Sequence, residues 1–195
     1  MKKAKFIINP SSGRQNFLKN IEGMIGKLIM DQIVNHVDVF YTEKQDDAKN
    51  EAMSMKKGEY DFVVAIGGDG TLNEVINGVV LGENETPIAV ISAGTVNDFA
   101  NYLSLPQGID EFCDLIKEFN VKEVDLGRID GTYFMNVLAG GLLSDVGYKV
   151  PKELKAIFGK MAYYVECAKD IPRNLFHSIP ISVETEELKK VKEEK

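Results

Sequence analysis

Three glycines and an acid follow directly on a solid apolar run, in the order Phe62–Ile66, Gly67, Gly68, Asp69 and Gly70. Glycines let a chain turn sharply and bring its N–H groups close to an anion, which then sits at the positive end of a following helix. The order therefore predicts a phosphate-binding turn between a strand and a helix. Asp69 strengthens this prediction, because a magnesium nucleotide site needs a carboxylate near the phosphates to hold the ion or its waters.

The same segment also has a purely structural interpretation. Thr71 and Glu74 have the spacing of a capping box, in which a hydroxyl and a carboxylate satisfy free N–H groups at a helix start. A capped connection between a strand and a helix needs no ligand. An acid among three glycines is a poor structural choice, and for this reason we favour the nucleotide interpretation.

A second apolar run, Ile88–Ser92, ends in a similar way, because Gly94 and Thr95 follow it and Asp98 lies three residues beyond Thr95. Helix capping by Thr95 and Asp98 is again the alternative. If the two runs are neighbouring parallel strands, Asp69 and Asp98 lie at one carboxyl edge of the sheet, where open α/β folds bind their ligands.

A third candidate contact follows the first apolar run of the chain. Its hydroxyls, glycine and guanidinium suit a phosphate or a ribose, although a Pro-Ser-Ser-Gly turn alone is an ordinary loop. Neither the P-loop pattern nor the Gly-x-Gly-x-x-Gly of a dinucleotide site is present in the sequence. The residues of this turn are Asn9, Pro10, Ser11, Ser12, Gly13 and Arg14.

A parallel sheet is needed to bring these three turns to one edge. From Lys5 to Leu105, short β-branched or aromatic runs alternate with longer segments of helical period, which predicts an α/β fold with a Rossmann-like parallel sheet. The predicted strands are Ala4–Asn9, Val37–Thr42, Phe62–Ile66 and Ile88–Ser92. The predicted helices are Asn16–Asn35, Asp46–Lys57, Thr71–Leu81, Val96–Leu103 and Asp110–Phe119.

The pattern changes after Phe119, where Asp130-Gly131 predicts a tight hairpin between two antiparallel strands. We expect a nucleotide-binding α/β domain over residues 1–123 and a second, incomplete domain over 124–195, because the predicted elements there bury too little apolar surface to close a domain. Those elements are strands Val121–Ile129, Thr132–Leu138 and Ile179–Val183, and helices Lys152–Phe158 and Met161–Ala168.

Composition excludes several classes of protein. The 195 residues are 44% hydrophobic and 27% charged, as in ordinary globular domains, and the net charge of -7 makes nucleic acid an unsuitable main partner. Cys113 and Cys167 have no metal-binding or disulfide spacing, and no apolar run has the length of a secretion signal or a membrane span. These features predict a cytoplasmic protein, at most peripheral to a membrane.

Two interactions are expected from the last third of the sequence. The segment 149–160 mixes four lysines with apolar residues and could touch an anionic bilayer; an amphipathic helix packed on the second domain is the alternative. An incomplete second domain would expose strand edges and apolar surface, which predicts self-association into a homo-oligomer.

Together, GGDGTLNEVINGV, GTVNDFA and INPSSGR resemble the catalytic domain of the diacylglycerol kinase family. VDLGRIDGTYFMNVLAGGLLSDV resembles the start of the second domain of that family, a β-sandwich with inserted helices. GGDGT alone is shared with NAD kinases, whereas GTxND followed by Phe-Ala points to lipids. The resemblance implies ATP-dependent phosphorylation of a lipid hydroxyl, such as that of diacylglycerol, in the cleft between two domains.

The resemblance also implies which residues form the site. It implies that the phosphates of ATP are wrapped by Gly67, Gly68, Asp69, Gly70, Thr71, Leu72, Asn73 and Glu74. It places Asn9, Pro10, Ser11, Ser12, Gly13 and Thr42 along the nucleotide, and Gly94, Thr95 and Asn97 at the closing side of the site. Asn101 stands where the family often has arginine, which leaves Arg14 as the main nearby cation.

A carboxylate and water network around Mg²⁺ is implied for Asp69, Asp98 and Asp125, which are thereby the candidate catalytic and metal-binding residues. For Asp125 the alternative is a surface acid beside Lys122 and Arg128. Family members continue with further strands that complete the sandwich and carry the acid proposed to deprotonate the acceptor. A positioned base contributes roughly 10² to 10⁴ in rate, so we expect nucleotide affinity with little kinase turnover from this sequence.

Two alternatives to a lipid kinase stay open. One is a truncated, non-catalytic protein that binds nucleotide. The other is an NAD kinase, against which the segment Gly94–Asp98 argues.

Overall fold

The described part of the chain consists of alternating strands and helices, followed by a short strand pair. A computed structural model describes residues 2–12, 16–94, 97–106 and 108–137. The elements are β1 (Lys2–Ile8), α1 (Asn16–Met30), β2 (Val34–Tyr41), α2 (Asp47–Ser54), β3 (Phe62–Gly67), α3 (Asp69–Leu81), β4 (Ile88–Ser92), α4 (Asp98–Tyr102), α5 (Ile109–Glu118), β5 (Gly127–Ile129) and β6 (Thr132–Phe134). The α/β class predicted from the sequence is confirmed.

Strands β1 to β4 form one parallel sheet in the order β2-β1-β3-β4. From β1 the chain goes outward to β2, and from β3 it goes outward to β4 on the opposite side. The order therefore reverses between β1 and β3. In open α/β sheets, the carboxyl ends of the strands at such a switch point border the ligand crevice.

Alternation along the central strands gives the sheet two apolar faces. Phe62, Val64 and Ile66 of β3 pack with residues of α1 and α5, whereas Val63 and Ala65 pack with residues of α2 and α3. All six residues of β3 are buried, because helices cover both faces of a parallel sheet. This core holds the end of β3, and with it the start of α3, in a fixed position.

The first helix is shorter than the sequence predicts. It ends at Met30 instead of Asn35, and β2 begins at Val34 instead of Val37. Gln32 has a φ of 54°, and the N–H of Ile33 donates to the carbonyl of Leu28 at 2.9 Å. This is a Schellman helix end, which usually carries glycine in the left-handed position. A glutamine there gives no sequence signal for the stop.

The predicted hairpin is present, with shorter strands. Asp130 and Gly131 both have positive φ, and β5 and β6 pair over three residues each. The segment 121–126, predicted as part of the first strand, has no regular secondary structure. The strand and two helices predicted beyond residue 150 lie outside the described residues. Within the described ranges, no helix combines the length and the apolar character that crossing a bilayer requires.

Candidate functional site

The two glycine turns that follow β3 and β4 touch each other. A Cβ placed on Gly94 would lie 2.6 Å from the Cα of Gly68, closer than real Cβ contacts come. The N–H of Ala93 donates to the carbonyl of Gly67 at 2.8 Å, which extends the β3–β4 pairing into the turns. Only two glycines allow the chains to approach so closely, so the two motifs recognised in the sequence form one structural unit.

Helix α3 begins directly at the first turn. Gly68 is the N-cap residue, and no side chain caps the helix. The N–H of Leu72 donates to the carbonyl of Gly68 at 3.1 Å, whereas the N–H groups of a helix's first three residues have no partner within the helix. Asp69, Gly70 and Thr71 therefore carry the N–H groups suited to an anion. Leu72 is buried in the core.

Thr71 does not form the capping box that its spacing with Glu74 allows. It lies inside the first turn of α3, is buried, and its Oγ1 accepts a hydrogen bond from Nδ2 of Asn9 at 3.1 Å. This bond joins the turn after β1 to the helix after β3. The Thr71 hydroxyl thus links two of the three predicted nucleotide contacts, the turn after β1 and the turn after β3. The sequence did not indicate this link.

The turn after β4 is closed by a side chain. Oδ1 of Asn97 accepts from the N–H of Gly94 at 2.9 Å, and Nδ2 of Asn97 donates to the carbonyl of Gly94 at 2.9 Å. The amide of Gly94 is therefore engaged within its own turn, whereas the amides of Asp69, Gly70 and Thr71 have no partner within α3. Thr95 lies outside the described residues. Helix α4 starts at Asp98 with Asn97 as its N-cap residue, so Asp98 does not take the third helical position that a capping box requires.

Asp69 and Asp98 lie next to each other at the carboxyl edge of the sheet. The backbone N–H of Asp98 donates to Oδ2 of Asp69 at 3.3 Å. Asp125 is exposed in the segment between α5 and β5. Among the described residues, no three His, Cys, Asp or Glu side chains are grouped to hold a metal ion. A metal at this edge would therefore rely on the first two carboxylates, which suits Mg²⁺, an ion held through one or two carboxylates, waters and substrate phosphates.

The turn after β1 lies against the same edge. The N–H of Asn9 donates to the carbonyl of Ile66 at 2.9 Å, and the N–H of Ser11 donates to Oδ1 of Asn9 at 3.0 Å. Pro10 and Ser11 are exposed, and Ser12 is half-buried. Gly13 and Arg14 lie outside the described residues. This turn therefore borders the β1–β3 switch point with its exposed residues.

Thr42 begins the connection after β2. Its N–H donates to the carbonyl of Ile8 at 2.9 Å, and it is buried. It therefore lies at the end of β1, on the side of the β1 turn away from β3. Gly70 is exposed, and Asn73 and Glu74 are half-buried on α3.

Sequence reasoning missed Asn77, a buried residue of α3. Its carboxamide pairs with the backbone of Tyr133 through two hydrogen bonds of 2.8 Å. An amide among Val75, Ile76 and Val79 was the available signal, because a buried polar group needs a partner. This signal indicated that the side chain of Asn77 has a hydrogen-bond partner. It did not indicate which residue the partner is.

A second polar cluster lies away from this edge, on β2 and the segment before β3. The hydroxyl of Tyr60 donates to Oδ2 of Asp38 at 2.6 Å, and Nε2 of His36 lies 3.1 Å from the same oxygen. The Tyr60 hydrogen bond is the main cause that lowers the pKa of Asp38, and burial chiefly raises the pKa of Tyr60. The hydrogen bond from Tyr60 to Asp38 links β2 to the segment before β3. None of the three residues belongs to the candidate site.

Comparisons with known proteins identify the family of the chain. The family model described as "Diacylglycerol kinase catalytic domain" matches residues 3–129. The chain is 40% identical over 172 residues to a protein named diacylglycerol kinase from Staphylococcus saprophyticus, covering 88% of this chain and 56% of that protein. It is 38% identical over 170 residues to the protein of the same name from Staphylococcus haemolyticus, covering 87% of this chain and 51% of that protein.

A solved structure resembles the described fold. The crystal structure of a diacylglycerol kinase from Bacillus anthracis str. Sterne matches with a TM-score of 0.60 and 30% sequence identity, covering 69% of this chain and 48% of that chain. The chain spans about half the length of the curated relatives it matches. The family model, the relatives and the fold agree, and the chain belongs to the diacylglycerol kinase catalytic domain family.

Proposed function

We propose that this chain binds Mg²⁺-ATP at the glycine turn after β3 and belongs to a kinase that transfers a phosphoryl group to the hydroxyl of a lipid such as diacylglycerol. The observation that carries the proposal is the contact of Gly68 with Gly94, which brings Asp98 beside Asp69. Membership of the diacylglycerol kinase catalytic domain family supports the reaction class.

The first turn of α3 is the element that would hold the phosphates. The N–H groups of Asp69, Gly70 and Thr71 have no partner within the helix, and the helix dipole adds partial positive charge at this end. A glycine on either side of Asp69 leaves room for phosphate oxygens near the backbone. The first turn of α3 would thus bind phosphate through main-chain N–H groups. The buried strand β3 before them fixes their positions.

Asp69 and Asp98 fit the role of magnesium-linked carboxylates. Both lie in the first turns of their helices, at the edge where the phosphates would bind. Mg²⁺ bound there would neutralise charge that develops on the transferred phosphoryl group. Asp125, proposed as the third member of this network, lies in the segment before the strand pair, which packs on α3.

The nucleotide would extend from the phosphate turn towards the β1 turn. We propose that Asn9, Ser11 and Ser12, with Gly13 and Arg14, border it. Asn9 is already bonded to Thr71 of α3, so a hydrogen bond ties this border to the phosphate turn. A lipid acceptor requires contact with a membrane surface during turnover, and we therefore propose peripheral membrane binding.

The proposal is tested by incubating the chain with radiolabelled Mg²⁺-ATP and diacylglycerol in mixed micelles, and separating the products. We expect a small amount of labelled lipid, in keeping with the little turnover expected from the sequence, that disappears in Asp69→Asn and persists in Asp114→Asn, which changes an exposed acid on α5. Labelled NAD with no labelled lipid would support the NAD kinase alternative. Nucleotide binding without any labelled product would support a non-catalytic nucleotide-binding protein.

A further inference from the structure

The carboxamide of Asn77 joins two parts of the molecule that are far apart in sequence. Asn77 lies in the middle of α3 with 3% of its surface exposed. Its Nδ2 donates to the carbonyl of Tyr133 at 2.8 Å, and its Oδ1 accepts from the N–H of Tyr133 at 2.8 Å. Nδ2 also donates to the carbonyl of Asn73 at 2.8 Å. Both ends of the carboxamide are thus occupied.

This pairing uses the open edge of β6. Tyr133 lies opposite Arg128 in the strand pair, and its N–H and carbonyl both point to Asn77 instead of to β5. In antiparallel strands, such a residue alternates with residues that bond to the partner strand. The carboxamide of Asn77 therefore takes the place that the backbone of a third strand would have beside Tyr133.

Apolar packing alone would not fix this position. Leu126 and Met135, which flank the strand pair, pack against the apolar cluster that contains Leu72 and Val75 of α3. Apolar contact is non-directional. It therefore holds the strand pair against α3 without specifying one position along the helix. A donor and an acceptor on one rigid carboxamide fix the position along the helix, because hydrogen bonds require distance and direction together.

The same helix carries the phosphate turn at its start. Asp69, Asn73 and Asn77 are spaced by four residues and lie along one side of α3, and eight residues of helix span about 12 Å. Asp125 precedes β5 by two residues. The position of the strand pair on α3 therefore also sets how far the backbone of Asp125 lies from the phosphate turn.

We propose that Asn77 is a positioning residue, whose carboxamide fixes the register of the β5–β6 pair on α3 and thereby the placement of Asp125 relative to the phosphate turn. The placement relative to bound nucleotide rests on the proposed function. The fixing of the register of the strand pair does not rest on the proposed function. Hydrogen exchange tests the register, and nucleotide affinity tests the placement of Asp125.

The test measures amide hydrogen exchange at Tyr133 by NMR, as a protection factor that removes the intrinsic pH dependence of exchange. In Asn77→Asp, a protonated carboxyl still donates to the Tyr133 carbonyl and accepts from the Tyr133 N–H. The carboxylate has no donor and faces the carbonyl oxygens of Asn73 and Tyr133, and this repulsion should move Tyr133 away and break the bond from its N–H as well. Burial and these oxygens raise the pKa of the introduced group above its usual value of about 3.9. We expect Tyr133 to be protected at low pH and to lose about tenfold protection as the carboxyl ionises.

Two further variants complete the comparison. Asn77→Leu is apolar and of similar size, and we expect it to lose protection at Tyr133 at every pH. Asn84→Asp is the matched control, because Asn84 is equally buried and its Nδ2 donates to the carbonyl of Met55, away from the strand pair. It should leave Tyr133 as in the parent chain. Spectra of the parent across the same pH range account for Asp69, Glu74, Arg128 and Asp130, the other charged residues of α3 and the strand pair.

Unchanged protection of Tyr133 in both Asn77 variants would overturn the proposal, as would an equal loss in Asn84→Asp. Mg²⁺-ATP affinity gives the second measurement. We expect Asn77→Leu to lose about threefold, because Asp125 is no longer held at a fixed distance from the phosphate turn, while Asp69→Asn loses about tenfold or more. Parental affinity in Asn77→Leu would contradict the placement of Asp125. An equal loss in both variants would show that Asn77 supports the phosphate turn itself and would also overturn the positioning role. A parent chain that binds no nucleotide refutes the proposed function and leaves the Tyr133 result valid.

Discussion

Gly68 and Gly94 are in backbone contact, so that a Cβ on Gly94 would fall 2.6 Å from the Cα of Gly68. This contact joins the turn that opens α3 to the turn that precedes α4, and it lets the N–H of Asp98 reach Oδ2 of Asp69. The candidate site depends on it, because the two acids come from different strands of the sheet. Any side chain at the contact would separate the turns.

Gly94→Ala is therefore expected to lower Mg²⁺-ATP affinity by about tenfold or more and to reduce the free energy of unfolding by about 1–3 kcal/mol, since the new Cβ would meet the backbone Cα of Gly68 and Oδ1 of Asn97, which closes the turn. Gly23→Ala in α1 is the control. A Cβ on Gly23 meets nothing within 4 Å, and alanine in an exposed helix position should stabilise the chain by about 0.5–1 kcal/mol. Urea unfolding and nucleotide titration measure both effects. Parental affinity in Gly94→Ala would show that Mg²⁺-ATP binding does not depend on the contact between the two turns.

The bond from Asn9 to Thr71 should be measurable as a coupling energy. Thr71→Val keeps the shape of the side chain and removes the hydroxyl that accepts from Nδ2 of Asn9. In a double-mutant cycle with Asn9→Ala, we expect the two residues to couple by about 0.5–1.5 kcal/mol in the free energy of unfolding, the usual range for a partly buried hydrogen bond. Additive effects of the two substitutions would mean that the bond does not stabilise the chain.

The stability of the sheet should depend on pH through Asp38. Its pKa is lowered chiefly by the hydrogen bond from Tyr60, and a lowered carboxyl pKa stabilises the folded state above the unfolded pKa of about 3.9. This contribution is lost as the pH falls through the folded pKa. Tyr60→Phe should therefore cost about 1 kcal/mol at pH 7, discounted because Asp38 is partly exposed, and the cost should shrink below about pH 4.

Tyr41→Phe is the matched control for this pH dependence, because Tyr41 is a half-exposed tyrosine at the end of β2. Denaturant unfolding at pH 7, 5 and 3 gives the comparison. His36 faces the same oxygen of Asp38, so a His36→Gln background removes its titration from the measurement. An equal cost of Tyr60→Phe at all three pH values would contradict the assigned hydrogen bond.

The strands that position the site could be predicted from the sequence because both are solid apolar runs. Ile88–Ser92 matches β4 in full, and the predicted Phe62–Ile66 differs from β3 by one residue. The placement of Asp69 and Asp98 at one edge followed from parallel pairing of these strands. The carboxyl ends of parallel strands lie at one edge of a sheet, whatever contacts their side chains make.

Contacts made by individual side chains could not be predicted in this way. The side chain of Thr71 holds Asn9, and that of Asn97 closes its own turn around Gly94, and the spacing of these residues in the sequence indicates neither contact. Gln32 ends α1 in a backbone conformation that its residue type does not indicate. Each of these depends on which groups meet in three dimensions, and local spacing carries no information on that.

Isothermal titration of the 195-residue chain with Mg²⁺-ATP is the most direct measurement of the central claim, that the turn after β3 is a nucleotide site. We predict saturable binding at a single site, weakened about tenfold or more by Asp69→Asn and left unchanged by Asp114→Asn. Absence of heat with both Mg²⁺-ATP and Mg²⁺-ADP, or equal affinity in the parent and Asp69→Asn, would contradict it.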